Sequence, residues 1–146
     1  MKKNSVTITI RSLQAMETGE ETMTQRGEGF LCREEECWLL SYWEGKDSGL
    51  GRTHTTLRLE EGRAALTRTG EVSSHMVFQP GEPHTSLYET PYGRLPMTVR
   101  TLSLNAELTE AGGTVSIHYQ IQLGGAAAGE TRLRLTIRAK EKKYDR

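Results

Sequence analysis

The chain has 146 residues, enough for one domain with a continuous core. Its 19 basic and 19 acidic residues cancel, which argues against a protein that holds nucleic acid by neutralising phosphates with a basic surface. Only 35% of the residues are hydrophobic and 6% aromatic, lean values for a solid core and suited to a barrel whose inner face is partly polar.

The first eleven residues carry positive charge but no apolar run, because Thr7, Thr9 and Arg11 interrupt it; they read as neither a signal peptide nor a membrane span. A cytoplasmic protein without membrane or nucleic-acid partners is expected, with Cys32 and Cys37 reduced. From Val6 onward almost everything alternates with a period of two. Val6, Ile8 and Ile10 predict a first strand with one buried face. After a turn around Gly19, residues 21–33 form a second strand, with Gly27 and Gly29 placed as if the wall bends or is approached closely there. Glu34, Glu35 and Glu36 make a charged tip, with Cys32 and Cys37 opposite each other across it. Residues 37–44 return as a third strand, Trp38, Leu40, Tyr42 and Glu44 on one parity and Cys37, Leu39, Ser41 and Trp43 on the other.

The glycine-rich stretch 45–51 reads as a loop. A fourth strand follows with Thr53, Thr55, Leu57 and Leu59 on one face, then a fifth over 64–70 in which Leu66 and Arg68 share a face. Residues 73–79 carry Met76 and Phe78 together and end at Pro80-Gly81-Glu82-Pro83. Residues 84–90 place Ser86, Tyr88 and Thr90 in phase. Pro91-Tyr92-Gly93 then turns into a long strand over 94–109. Its apolar set shifts from Leu95, Met97 and Val99 to Leu102, Leu104, Ala106 and Leu108, which predicts a β-bulge near Arg100-Thr101. Gly112-Gly113 predicts a hairpin turn. The next strand has Val115, Ile117, Tyr119, Ile121 and Leu123 inward, and residues 124–131 form a loop of small residues. In the last strand Leu133, Leu135 and Ile137 oppose Arg132, Arg134 and Arg138, a basic stripe on a solvated face that discourages sheet aggregation. Residues 139–146 are expected to fray.

About ten strands with short connections predict an all-β, single-domain antiparallel meander. Closing it into an up-and-down barrel removes its edges, the first strand pairing with the last. A barrel of that size can enclose a small ligand as well as side chains.

The segments G-E-G-F-L (27–31), S-Y-W-E (41–44), R-T-G (68–70), H-M-V-F (75–78) and Y-E-T-P-Y-G (88–93), with Thr101 and Tyr119 in the late strands, resemble the YwiB-like family. These small uncharacterised proteins of Firmicutes are assigned to the calycin, or lipocalin-like, β-barrels. The resemblance spans nearly the whole chain in order and implies a lipocalin-like barrel; it implies no activity.

Glu44 and Arg68 share parity with apolar neighbours, so both are expected inside. A lone buried charge costs several kcal/mol unless paired, and one intervening strand puts the two backbones about 10 Å apart, a gap that their side chains span. As an internal salt bridge they would fix register; as a site, Arg68 would grip a carboxylate or phosphate with both arms of its fork. The expected ligand-binding set is Arg68, Glu44, Tyr42, Met76, Phe78, Tyr88, Tyr92 and Tyr119, around an anionic or amphipathic small molecule. An enzyme using interior Glu, Arg and Tyr for acid–base chemistry on a small carboxylate ranks second. An interaction module hinted at by outward Trp43 ranks third. His54, His75, His84 and His118 are scattered without metal-binding spacing, so neither metal nor cofactor is expected.

Overall fold

A computed structural model describes residues 3–45 and 50–140, apart from the side chain of Ala128. The centre of the predicted 45–51 loop (46–49) and the tail 141–146 lie outside the described residues. Among the described residues ten strands follow one another: β1 (Lys3–Met16), β2 (Gly19–Glu34), β3 (Cys37–Trp43), β4 (Thr53–Glu60), β5 (Arg63–Gly70), β6 (Ser74–Phe78), β7 (His84–Thr90), β8 (Gly93–Thr109), β9 (Gly112–Leu123) and β10 (Ala126–Ala139). They form one antiparallel sheet in the order β6-β5-β4-β3-β2-β1-β10-β9-β8-β7. As the alternation predicts, the first and last strands pair, from Val6 with Ala139 to Ala15 with Glu130.

The barrel is nearly closed, and the remaining seam lies between β6 and β7. Pro80 and Pro83 in the connection have no N–H to give to a ladder, and β6 is only five residues long. One bridge, Ser73 with Glu89, joins the two sides through N–H to O distances of 2.9 and 2.8 Å. Side chains stitch the rest. The Ser86 hydroxyl donates to the His75 carbonyl, and the Gln79 N–H donates to Thr101 Oγ1 at 3.1 Å.

One half of the barrel is solid. Leu31, Leu40, Leu57, Phe78, Ile117 and Ile137 are fully buried, each contributing about 1.5–3 kcal/mol by leaving water. Trp38 packs partly buried at that end, with the Arg33 guanidinium 4.8 Å above its ring.

Several local expectations change. The bulge on β8 falls at Leu102, where the register slips between Thr101 and Ser103; Leu102 is the extra residue and points out, 44% exposed. The turn before β9 is Glu110-Ala111, and Gly112 and Gly113 open the strand instead. A Cβ on Gly112 would strike Ile137 of β10, and one on Gly113 would strike Glu107 of β8, so these glycines let three strands approach. The small-residue stretch after Gly125 belongs to β10, whose register shifts between Ala127 and Gly129. Ala139 and Lys140, expected to belong to the frayed tail, are instead tied down by backbone bonds to Ala111 and Ser5. Cys32 pairs with Leu39 and Cys37 with Glu34, because the tip is a two-residue turn; the two buried thiols are not opposed and form no disulfide. Burial pushes the Cys37 thiol up from its ordinary value. The basic stripe sits on β10, bonded on both sides by β1 and β9, so it guards no edge. Trp43 is outward, as expected, and 58% exposed.

Gly29 is the close approach anticipated on β2: an added Cβ would lie 2.9 Å from Tyr42 Cβ and collide with the Ser41 carbonyl. At Gly27 the same atom meets nothing within 4 Å. Gly29→Ala is therefore expected to destabilise by about 1–3 kcal/mol, the usual range for overpacking, while Gly27→Ala stays within about 0.5 kcal/mol; urea denaturation midpoints check both.

Candidate functional site

Cross-strand register builds the site. Gly29 pairs with Tyr42, Tyr42 with Thr55, Thr55 with Arg68 and Arg68 with Ser74, a row across β2 to β6 whose side chains all point inward by the pleat. Glu44 lies one step past the end of β3, yet its N–H still donates to the Thr53 carbonyl at 2.8 Å. That bond keeps the chain extended for one more residue and aims the carboxylate at the same interior. The row also explains Gly29, since Tyr42 occupies the space that a side chain there would need.

Within the row, the fully buried Thr55 donates its hydroxyl to Glu44 Oε2. Arg68 Nε stands 3.8 Å from the same oxygen, with the side chains 21% and 3% exposed for Arg68 and Glu44. The charges attract at this range, but the distance exceeds a hydrogen bond. Arg68 Nε is buried with no hydrogen-bond partner, and so is Ser74 Oγ on the neighbouring strand. The phenols respond to the same surroundings. Burial, and then the Glu44 charge, push the Tyr42 hydroxyl well above its ordinary value of 10.0 against the pull of Arg68. Burial raises Tyr119 from 10.0 as well, although the Arg68 charge and the Thr131 hydroxyl oppose it.

Beside these groups is a cavity of about 290 Å³, close to the lower end of ordinary ligand pockets at roughly 300 Å³. Glu44, Arg68, Tyr42 and Tyr119 supply its ionisable wall with Tyr88, while Leu66, Met76, Met97, Ile121, Leu123, Leu133 and Leu135 supply apolar ones. Ser12 and Gln14 near the end of β1, Met23 and Gln25 near the start of β2, and Thr131 on β10 complete it with Ile10 and Leu50. A wider hollow of about 640 Å³ near Ala15, Gln120 and Glu130 opens on the outer wall. It borders no buried charge, so chemistry favours the interior.

Six of the eight expected residues, Arg68, Glu44, Tyr42, Met76, Tyr88 and Tyr119, therefore line one space. Phe78 does not: it sits in the solid core with its ring centroid 4.8 Å from that of Tyr119, supporting the cavity floor. Tyr92 is excluded altogether. It occupies the β7–β8 turn at 98% exposure, because Pro91-Tyr92 forms the reversal itself and leaves the strand's alternation. Sequence reasoning missed Ser12, Gln14, Gln25 and Thr131 as lining. The available signal was parity, since Ser12 and Gln14 continue the inward series of Val6, Ile8 and Ile10. Among the described residues, no three of His, Cys, Asp and Glu gather in a metal-binding cluster.

Comparison with known proteins places the chain in context. The family model described as a domain of unknown function, DUF1934, matches residues 8–135. The uncharacterized β-barrel protein YwiB of Bacillus subtilis (strain 168) is 27% identical over 123 residues, covering 84% of this chain and 85% of that protein. The crystal structure of ywiB protein from Bacillus subtilis superposes with a TM-score of 0.86 at 24% identity, over 95% of this chain and 94% of that one. At that identity the structural match speaks for the barrel fold.

Two outcomes are expected from the geometry. Arg68→Met leaves Glu44 buried without its counter-charge and lowers stability by about 2–3 kcal/mol, below the roughly 3–5 kcal/mol for a fully buried pair because Arg68 is partly exposed. The double variant Glu44→Gln/Arg68→Met recovers most of that loss in urea titrations. The second outcome concerns alkali. In the folded protein Tyr42 and Tyr119 ionise above their ordinary 10.0. Their share of stability is full below about pH 10 and declines above it, because only the unfolded chain releases those protons there. Tyr42→Phe and Tyr119→Phe should each flatten the fall of the urea midpoint between pH 9 and 11.5.

Proposed function

The chain belongs to the DUF1934 family, a domain of unknown function, and from the geometry of its interior we propose that it is a small-molecule-binding barrel holding an amphipathic ligand, with an anionic group on Arg68. The observation that carries this reading is a hollow of about 290 Å³ bordered by a guanidinium whose buried Nε has no partner. The Glu44–Arg68 pair stands at 3.8 Å, beyond hydrogen-bonding distance, and leaves the space beside it open. Arginine is suited to the task, because its planar fork offers several donors and keeps its charge in an apolar wall. The opposing face, with Ile121, Leu123 and Leu133, provides the apolar contact that an amphipathic molecule needs.

We read the barrel as lipocalin-like and the protein as cytoplasmic, since Cys32 and Cys37 are both buried and form no disulfide, as suits a reducing compartment.

Native mass spectrometry of protein purified gently from its host is expected to show a bound small molecule that dissociates on denaturation. Arg68→Ala should lose it while the Tyr92→Ala variant keeps it. An empty barrel across several preparations, joined by an absence of thermal stabilisation from a metabolite panel, would count against the reading.

A further inference from the structure

Charge accounting narrows the ligand. Among the described residues lining the cavity, Glu44 and Arg68 are the charged side chains, one of each sign; the other polar contacts are hydroxyls, from Ser12, Thr131 and the tyrosines, and the amides of Gln14 and Gln25. The described lining is thus neutral as it stands. A simple carboxylate set on Arg68 would bring a second negative charge beside Glu44 and leave the low-dielectric interior with a net charge. A molecule carrying both signs avoids this.

Geometry points the same way. Glu44 Oε2 and Arg68 Nε are 3.8 Å apart, too far to satisfy one another but near enough to be engaged by two groups on adjacent atoms. In an α-amino acid the ammonium nitrogen and carboxylate carbon lie about 2.5 Å apart, from bond lengths of about 1.46 and 1.52 Å and an angle of about 111°. A carboxylate has roughly four acceptor positions; Thr55 takes one on Glu44, which leaves room for an ammonium. Size sets the remainder. About 290 Å³ equals the liquid share of roughly ten waters at about 30 Å³ each, which suits an amino acid with a large apolar side chain and not a long acyl chain. Leu66, Met97, Ile121, Leu123 and Leu133 offer that side chain its contacts.

Resting on the interior-ligand reading above, we propose that the ligand is a net-neutral zwitterion of amino-acid type with an apolar side chain, its carboxylate on Arg68 and its ammonium on Glu44.

The test uses three probes of similar shape and different charge on the full-length protein: L-phenylalanine (zwitterion), 3-phenylpropionate (anion) and phenethylamine (cation), with L-leucine and its two corresponding analogues as a smaller set. Isothermal titration and thermal shift should show a zwitterion binding at least tenfold more tightly than its anion or cation. Glu44→Gln, a near-isosteric change, should invert the preference toward the anion, because the site then carries a net positive charge; circular dichroism confirms the fold of the variant. Wild-type protein that prefers 3-phenylpropionate or 4-methylpentanoate would overturn the zwitterion assignment and leave the interior-ligand reading standing. So would a co-purified molecule that carries no ammonium. If no member of either set binds, the zwitterion assignment falls, and the native mass spectrum decides separately whether the interior holds any ligand.

Discussion

A carboxylate and a guanidinium enclosed by a β-barrel must be held by the wall itself, and here that task falls to register. One residue of slip on β4 would turn Thr55 to the outside and put His54 or Thr56 in its place, stripping Glu44 of its donor. Closing the sheet through β1 and β10 supports this row, since strands bonded on both sides resist sliding. The buried Leu57 and Leu66, on the same inward face, add a hydrophobic penalty to any slip. The polar pair thus depends on the apolar half of the barrel for its position, and a misregistered barrel would face the cost of an unpaired buried charge.

Much of the fold is legible in the period of two, because an antiparallel strand with one buried face writes its orientation into every second residue. Val115, Ile117 and Tyr119 against Ser116 and His118 leave little room for another reading, and the phase change on β8 gives its bulge to within two residues. What escaped was backbone geometry that side-chain pattern does not encode. Gly112 and Gly113 looked like a turn, but they are needed for close approach of neighbouring strands. The seam between β6 and β7 depends on a pairing that fails, and its trace in the sequence is the pair of prolines before β7.

The site was legible to the extent that its residues lie within strands. Glu44, Arg68, Tyr42, Met76, Tyr88 and Tyr119 obey parity and converge. Tyr92 fails because a turn residue has no parity, and Phe78 because parity gives the face without the height along the barrel. Height is where the polar lining was lost. Along β1 the inward series runs Val6, Ile8, Ile10, Ser12, Gln14, and the point where it changes from apolar to polar marks the passage from solid core to cavity.

That gradient accounts for the lean composition. A barrel of this girth filled with leucine and isoleucine throughout would bury more apolar surface and gain stability, since an unfilled cavity gives up dispersion contacts along its lining. The chain instead places Phe78, Leu31, Leu40, Leu57 and Ile137 in one half and in the other sets glutamine, threonine, tyrosine and one ion pair among the leucines and methionines. The solid half must then supply much of the stability that tolerates an open, charged interior. Such an arrangement follows from function more readily than from folding, because proteins give up stability most often where a site needs groups that a core would exclude.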